Sequence, residues 1–176
     1  MDSLDKGTAL YNMNGHITML KIVFYSKFTS NRILALQILT SANQNDAGIQ
    51  NQSINCGAME LVELISKETD MKVKENMMST ISALVRGENL EAKRIFIRIG
   101  GLDLMEKLSQ NGSPRLVNKI HNLLRDLLFY DQNLHKTFND LSSFSNTAGL
   151  KMDKDKQDLT YDVNAEMKEK NYLPEN

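Results

Sequence analysis

The chain has 176 residues, 41% of them hydrophobic, and a formal net charge of −1 at neutral pH. This length and apolar content are enough for one domain with a buried core. The near-neutral charge disfavours nucleic acid as a partner, and the most apolar window, 17–25, is shorter than the roughly 20 residues that cross a bilayer.

A glycine-led apolar pattern begins at Gly15, Gly57 and Gly100, at intervals of 42 and 43 residues. The second and third copies place apolar residues opposite one another at Met59 and Leu102, Leu61 and Leu104, Val62 and Met105, and Ile65 and Leu108. Periods of about 40 to 47 residues are typical of armadillo and HEAT-type helical arrays. Because one such unit cannot cover its own apolar face, its neighbours must stack on it.

Each repeat is predicted to hold a short linking helix, a second helix that begins at the glycines, and a longer third helix. Start signals for the third helices stand at Thr29-Ser30, at Thr69-Asp70 and at Ser113-Pro114. Side-chain oxygens at these positions can accept hydrogen bonds from free amides of the first turn, and proline is tolerated as the first helical residue.

Apolar residues at steps of three and four predict two of the third helices. The stripe of the second repeat comprises Val73, Met77, Met78, Ile81, Leu84 and Val85. The stripe of the third repeat comprises Leu116, Val117, Ile120, Leu123, Leu124, Leu127 and Leu128, on a helix from about Pro114 to Tyr130. With only two prolines and no alternating strand pattern, the chain is predicted to be all-α.

The predicted fold is an armadillo-type right-handed solenoid of about three repeats, in a domain over residues 1–144. Its units are about 1–45, 46–87 and 88–130, followed by a capping helix over 131–144. Residues 145–176 are poor in apolar side chains, and we expect a disordered polar insertion or tail there. We also expect a longer parent protein, because the N-terminus lacks a secretory signal and some apolar character returns at 172–174.

The sequence contains no recognisable motif for catalysis, metal binding or phosphate binding. The three histidines occupy non-equivalent repeat positions, and His121 falls where the previous repeat has Met78, which favours a packing role. The single cysteine excludes an internal disulfide and a cysteine-rich zinc site. Gly100-Gly101 lacks the further glycines and the lysine of a phosphate-binding loop. We therefore predict no enzyme, no cofactor and no metal.

A helical array instead offers a concave surface lined by its third helices, on which a partner protein can bind. Armadillo proteins that grip peptides carry a ladder of Trp and Asn there. The matching positions are Ser79 and Ala83 in one repeat and Asn122 and Asp126 in the next, and the chain contains no tryptophan. The peptide-clamp function is therefore disfavoured.

Three segments in repeat order carry a resemblance to a known family. They are 4–7 with Gly15, then 41–45 followed by Ile49-Gln50, and then 81–86 with Phe96 and 100–102. Together they resemble the armadillo-like nucleotide exchange factors of heat-shock protein 70 (Hsp70) chaperones, over about Leu4 to Asp131.

This resemblance implies an adenine-nucleotide exchange factor. Members of the family grip one lobe of the nucleotide-binding domain of the chaperone in the concave groove, rotate it and so let ADP leave. The partner-binding residues predicted on this chain are Gly7, Asn76, Ser79, Arg86, Lys119 and Asn122. Position 76 is usually basic in the family, so Asn76 departs from the pattern. Arg86 could instead complement a helix C-terminus, and Lys119 could be an ordinary solvated lysine.

The family has a cytosolic branch and a branch in the lumen of the endoplasmic reticulum that serves the chaperone BiP. The polar segment after the third repeat and Asn171 to Pro174 are similar to the lumenal branch, so we expect a BiP-like partner and a lumenal parent protein. The absence of a signal sequence would instead indicate the cytoplasm. Two alternatives stay open: an adaptor that binds another protein without exchange, and a fragment that folds but no longer exchanges nucleotide.

Overall fold

A computed structural model describes residues 3–130, 150–153 and 158–161, in two units, Met1–Tyr130 and Asp131–Asn176. The helices are α1 (Ser3–Asn12), α2 (Gly15–Tyr25), α3 (Thr29–Asn43), α4 (Ala47–Asn55), α5 (Glu60–Lys67), α6 (Met71–Val85), α7 (Leu90–Arg98), α8 (Gly101–Asn111) and α9 (Pro114–Tyr130). The strands are β1 (Leu150–Asp153) and β2 (Asp158–Tyr161).

Residues 3–130 form an all-α helical repeat, as the sequence predicted. Three triplets follow one another, and the third helix of each triplet is the longest, with 15, 15 and 17 residues in α3, α6 and α9. The third helices pack in series, α3 against α6 and α6 against α9.

The core runs along the third helices. Both predicted apolar stripes are buried, including Ile81 and Leu84 on α6 and Leu123 and Leu124 on α9, each with no solvent exposure. The side chain of Leu128 lies outside the described residues. The apolar faces of α6 and α9 therefore point into the stack.

Two of the three predicted start signals are confirmed. The Asp70 carboxylate accepts hydrogen bonds from the backbone N–H groups of Lys72 (2.8 Å) and Val73 (3.2 Å) at the start of α6. The Ser113 hydroxyl accepts one from the N–H of Leu116 (3.1 Å) at the start of α9. Both caps satisfy amides that have no partner within their helix.

The start signal of α3 was predicted wrongly. The helix begins at Thr29 itself, and Phe28 occupies the cap position without a side-chain bond. Arg32 anchors this first turn, because its Nε donates to the Val23 carbonyl at 2.9 Å and its guanidinium pairs with Glu68. These long-range contacts fix the start of α3 where no local cap does.

The second helices begin at the predicted glycines in two repeats out of three. α2 starts at Gly15 and α8 at Gly101, but α5 starts at Glu60, three residues after Gly57. Gly57 has a φ of 92°, and its carbonyl accepts from the N–H of Glu60 at 3.0 Å, which closes a tight turn before the helix. This three-residue spacing replaces the first α-helical turn.

Gly101 is required by packing within the third repeat. A β-carbon at this position would stand 2.4 Å from Cε2 of Phe96, and Phe96 has no solvent exposure. The backbone of α8 therefore rests directly on the aromatic ring of α7.

In the second unit, β1 and β2 pair antiparallel, with Leu150 opposite Tyr161 and Met152 opposite Leu159. The sequence predicted disorder over 145–176 and no strand, so the two strands differ from that expectation. Apolar and polar residues alternate from Leu150 to Asp153, a period of two that is compatible with a short strand. The capping helix predicted over 131–144 lies outside the described residues.

Candidate partner-binding groove

A groove of about 460 Å³ lies across the third helices. Its lining residues come from α3 and the turn after it, from α6 and its C-cap, and from α9: Thr40, Gln44, Asn45, Ser79, Ser82, Ala83, Arg86, Lys119 and Asn122. We refer to these nine residues as the third-helix groove. Most of them are polar, which suits a protein surface better than an apolar ligand.

The C-terminal ends of α3 and α6 form one rim of the groove. The residue after each C-cap is left-handed, with φ 58° at Asn45 and φ 80° at Gly87. A left-handed residue at this position stops an α-helix. Both helices consequently end in the same way, and their C-cap residues Gln44 and Arg86 both reach the groove.

Hydroxyl groups join α3 to α6 beside the groove. The Oγ1 atoms of Thr40 and Thr80 are 2.9 Å apart, and each lies within hydrogen-bond distance of the Leu36 carbonyl, at 2.8 Å and 3.1 Å. Thr80 is fully buried. This polar contact fixes the separation of the two helices where the groove crosses them.

Lys119 joins α9 to α6 on the other side. Its Nζ donates to Oγ of Ser79 at 2.5 Å, and the side chain is half-buried. Burial lowers the pKa of Lys119, and so does the repulsion from Arg115 and Arg86, whereas Glu75 opposes the shift. The ammonium group is therefore held in a site that disfavours its charge.

The neighbouring arginines differ from Lys119 because each has a carboxylate partner. Arg86 Nε lies 2.6 Å from Oδ2 of Asp126, and Arg115 Nε lies 3.5 Å from Oε2 of Glu75. Within residues 3–130, Lys119 is in hydrogen-bond contact with a neutral hydroxyl and in ion-pair contact with no carboxylate. A carboxylate presented by a partner would add a direct ion pair to the weaker attraction that Glu75 supplies.

Four of the six predicted site residues come together in the groove: Ser79, Arg86, Lys119 and Asn122. The pairing of Arg86 with Asp126 gives this arginine a defined contact at the C-terminal end of α6, so both interpretations of Arg86 remain compatible with its position. Asn76 lies one turn earlier on α6, where its Nδ2 donates to the Lys72 carbonyl at 2.8 Å, and it does not line the groove.

Gly7, the remaining predicted site residue, does not line the third-helix groove. It is buried between α1 and its neighbours, and a β-carbon there would stand 2.9 Å from the Ala42 carbonyl and 3.3 Å from Ile49. The structure therefore gives Gly7 a packing role, because its backbone must approach the end of α3 closely. A partner could not reach it without moving that contact.

The sequence did not single out Thr40, Gln44, Asn45 and Ser82 as site residues. The signal that could have found them is the repeat itself, because Gln44 precedes Arg86 by 42 residues. Carrying each candidate on α6 back by one repeat would have extended the site onto α3.

A second cavity, of about 670 Å³, lies between α5 and α8. Its lining includes Met59, Glu63, Asp103 and Lys107, and none of the predicted site residues lines it. This part of the surface offers positions for control substitutions outside the third-helix groove.

The described residues hold few groups of catalytic interest. They contain no set of three or more His, Cys, Asp or Glu side chains placed to bind a metal ion, and none of their helices has the length and apolarity to span a membrane. His121 is 5% exposed on α9, as predicted for a packing histidine. His16 is fully buried, and this burial lowers its pKa.

Comparison with known proteins identifies the family of the chain. The sequence model of the SIL1/FES1/HPBP1 C-terminal domain matches residues 8–172. No curated protein matched the chain directly. The family match covers nearly the whole chain, from within α1 through the second and third helical triplets. The chain therefore belongs to the SIL1/FES1/HPBP1 C-terminal domain family of Hsp70 nucleotide exchange factors.

Proposed function

We propose that this chain binds the nucleotide-binding domain of an Hsp70 chaperone in the third-helix groove and promotes the release of ADP. The observation that carries the proposal is the convergence of Ser79, Arg86, Lys119 and Asn122 in one groove. These residues come from two repeats and are brought together by the packing of α6 against α9.

The charge pattern of the groove supports a partner with exposed carboxylates. Lys119 is partly desolvated and repelled by two arginines, so its ammonium group gains most from an anionic partner. Truncating one member of such a charge pair costs binding energy, because the other member is left without its counter-charge.

The mechanism needs no catalytic side chain. A ligand that binds the open state of the chaperone more tightly than the closed state shifts the equilibrium by its differential affinity. A shift from about 1% open to about 99% open requires a preference of about 10⁴-fold for the open state. A rigid groove that fits only one arrangement of the chaperone lobes can provide such a preference.

For the compartment, we propose a BiP-like chaperone in the lumen of the endoplasmic reticulum. The support is the similarity of the polar segment after the third repeat, and of Asn171 to Pro174, to the lumenal branch of the family. Parallel assays with a lumenal and a cytosolic chaperone test this choice. Faster release from the cytosolic chaperone alone would contradict it.

The functional experiment measures the release of fluorescent ADP from the nucleotide-binding domain at increasing concentrations of this chain. We expect acceleration by the natural chain and at least about tenfold weaker acceleration by Lys119→Glu, because the reversed charge repels the same partner group. Lys107→Glu is the matched control, since it makes the same charge change outside the third-helix groove.

Two outcomes would overturn the proposal. Unchanged release kinetics at saturating concentrations of a folded chain would reject exchange activity and favour an adaptor. An equal effect of Lys119→Glu and Lys107→Glu would reject the third-helix groove as the binding surface.

A further inference from the structure

The linking helices of the second and third repeats carry a buried nitrogen donor at the same position. Gln50 on α4 and Lys93 on α7 are 43 residues apart, and each is 1% exposed. Lysine is almost never fully buried unless it has a partner, so a polar residue at this place in both repeats indicates a specific task.

Gln50 joins the ends of two third helices. Its Nε2 lies within hydrogen-bond distance of the Asn43 carbonyl on α3 (3.1 Å) and of the carbonyls of Ala83 (2.9 Å) and Arg86 (3.1 Å) at the end of α6. The two N–H bonds of the amide are shared among these three acceptors. The last carbonyls of a helix have no partner within the helix. One side chain from α4 therefore holds α3 and α6 together at the rim of the groove.

Lys93 also donates to the end of a third helix, here that of α6 alone. Its Nζ donates to the Gly87 carbonyl at 2.5 Å, directly after the C-cap of α6. A lysine at a helix C-terminus also interacts favourably with the partial negative charge of that end. The equivalent residue of the first repeat is Gly7, whose backbone packs against the Ala42 carbonyl near the end of α3.

We propose that Gln50 and Lys93 are positioning residues that set the width of the third-helix groove. Neither lines the groove. Gln50 acts through α3 and α6, whose C-cap residues Gln44 and Arg86 form the rim, and Arg86 in turn pairs with Asp126 on α9 at 2.6 Å. The effect on groove width is independent of the proposed function, whereas the effect on chaperone binding rests on it.

The buried amide of Gln50 lowers the stability of the fold in a way that an apolar side chain would avoid. Oε1 of Gln50 is buried and has no hydrogen-bond partner among the described residues. An unsatisfied buried acceptor destabilises a fold, so the amide contributes mainly through its Nε2 bonds to the three carbonyls. Fixing these helix ends in one arrangement is the function that this geometry supports.

The test measures the groove directly, without a chaperone. Spin labels are attached at Gln44→Cys and Asn122→Cys in a Cys56→Ser background of the full chain, and their distance distribution is recorded by pulsed electron paramagnetic resonance. Both labelled side chains are exposed at the groove. We expect Gln50→Met, which keeps the size of the side chain but removes the donor, to displace or broaden the distribution.

Restoring the donor should restore the groove. Gln50→Lys places at this position the residue that occupies the equivalent position 93, and we expect the original narrow distribution. Ile65→Ala is the control, because it removes fully buried apolar contacts on α5 and leaves the donors intact. If circular dichroism shows that Gln50→Met does not fold, Lys93→Met is measured instead, with the same expectation of a displaced or broadened distribution.

An unchanged distribution in a folded donor-less variant would overturn the proposal. The same change in Ile65→Ala, or a failure of Gln50→Lys to restore the distribution, would also overturn it. In the nucleotide-release assay, Gln50→Met should weaken the apparent affinity for the chaperone at least about fivefold. If the spin-label distance distribution is displaced as expected but neither the natural chain nor any variant accelerates ADP release, the result would count against the proposed function alone.

Discussion

Replacing Gly101 with alanine gives a sharp prediction, because helix propensity and packing predict opposite signs. Alanine is the better helix former, by about 1 kcal/mol at most for the first residue of α8, so propensity alone predicts that Gly101→Ala stabilises the chain. The structure predicts the reverse, since the new β-carbon would stand 2.4 Å from Cε2 of Phe96.

The size of the effect follows from the neighbours of Gly101. Atoms Cε2, Cζ and Cδ2 of Phe96 would all lie within 2.6 Å of the new carbon, so the whole ring must move. Phe96 is fully buried and has little room to do so. Overpacking of this kind costs about 1–3 kcal/mol, which matches or exceeds the propensity gain. We expect a net loss of up to about 2 kcal/mol and a melting temperature lower by up to about 8 °C.

The assay is chemical denaturation of the natural chain, Gly101→Ala, Phe96→Leu and the double variant. Phe96→Leu shortens the side chain and vacates space, so the double variant should be more stable than the sum of the single changes predicts. An interaction of about 0.5–3 kcal/mol is typical of residues in contact. Stabilisation by Gly101→Ala, or strict additivity in the double variant, would refute the packing argument.

Three further predictions concern stability. Asp70→Ala should lower the free energy of unfolding by about 1 kcal/mol in thermal denaturation, because it removes the cap of α6; an unchanged midpoint would contradict this. Burial lowers the pKa of His16 below the usual 6.5, so the folded state favours the neutral imidazole more than the unfolded state does. Folded chains then bind fewer protons than unfolded ones below pH 6.5, so stability should fall on acidification, and His16→Leu should weaken that fall in denaturant titrations between pH 7 and pH 5. A pH dependence that His16→Leu leaves unchanged would count against this assignment. Burial raises the pKa of Glu68, but the N–H groups of Asp70 and Thr69 and the Arg32 guanidinium outweigh it, so the net pKa lies below 4.5. Its stabilisation is present above pH 4.5 and is lost as the pH falls through the lowered value, so the natural chain should lose more stability in acid than Glu68→Gln. Equal acid sensitivity of the two proteins would refute it.

Features that repeat locally were predictable from the sequence. The spacing of the glycines gave the three triplets, and the apolar steps of three and four gave the buried faces of α6 and α9, because helical periodicity and burial are directly linked. Asp70 and Ser113 were predictable caps, since their bonds reach only two or three residues along the chain.

Features that depend on distant contacts were not predictable in this way. Arg32 fixes the start of α3 through Val23 and Glu68, and no local signal marks that role. At the site, the family resemblance indicated Lys119 and Arg86, but the groove that unites them arises from helix packing. Gln50 and Lys93 occupy equivalent repeat positions, which the sequence reveals. Their burial could not be predicted, because it results from the packing of the ends of α3 and α6 around them.

The measurement that tests the central claim most directly is amide hydrogen exchange of the chain with and without the nucleotide-binding domain of an Hsp70 chaperone. If the third-helix groove is the binding surface, binding should protect amides at 40–45, 79–86 and 119–122, and should leave 59–66 and 103–107 unchanged. Protection confined to the α5 and α8 segments, with none at the ends of α3 and α6, would contradict it.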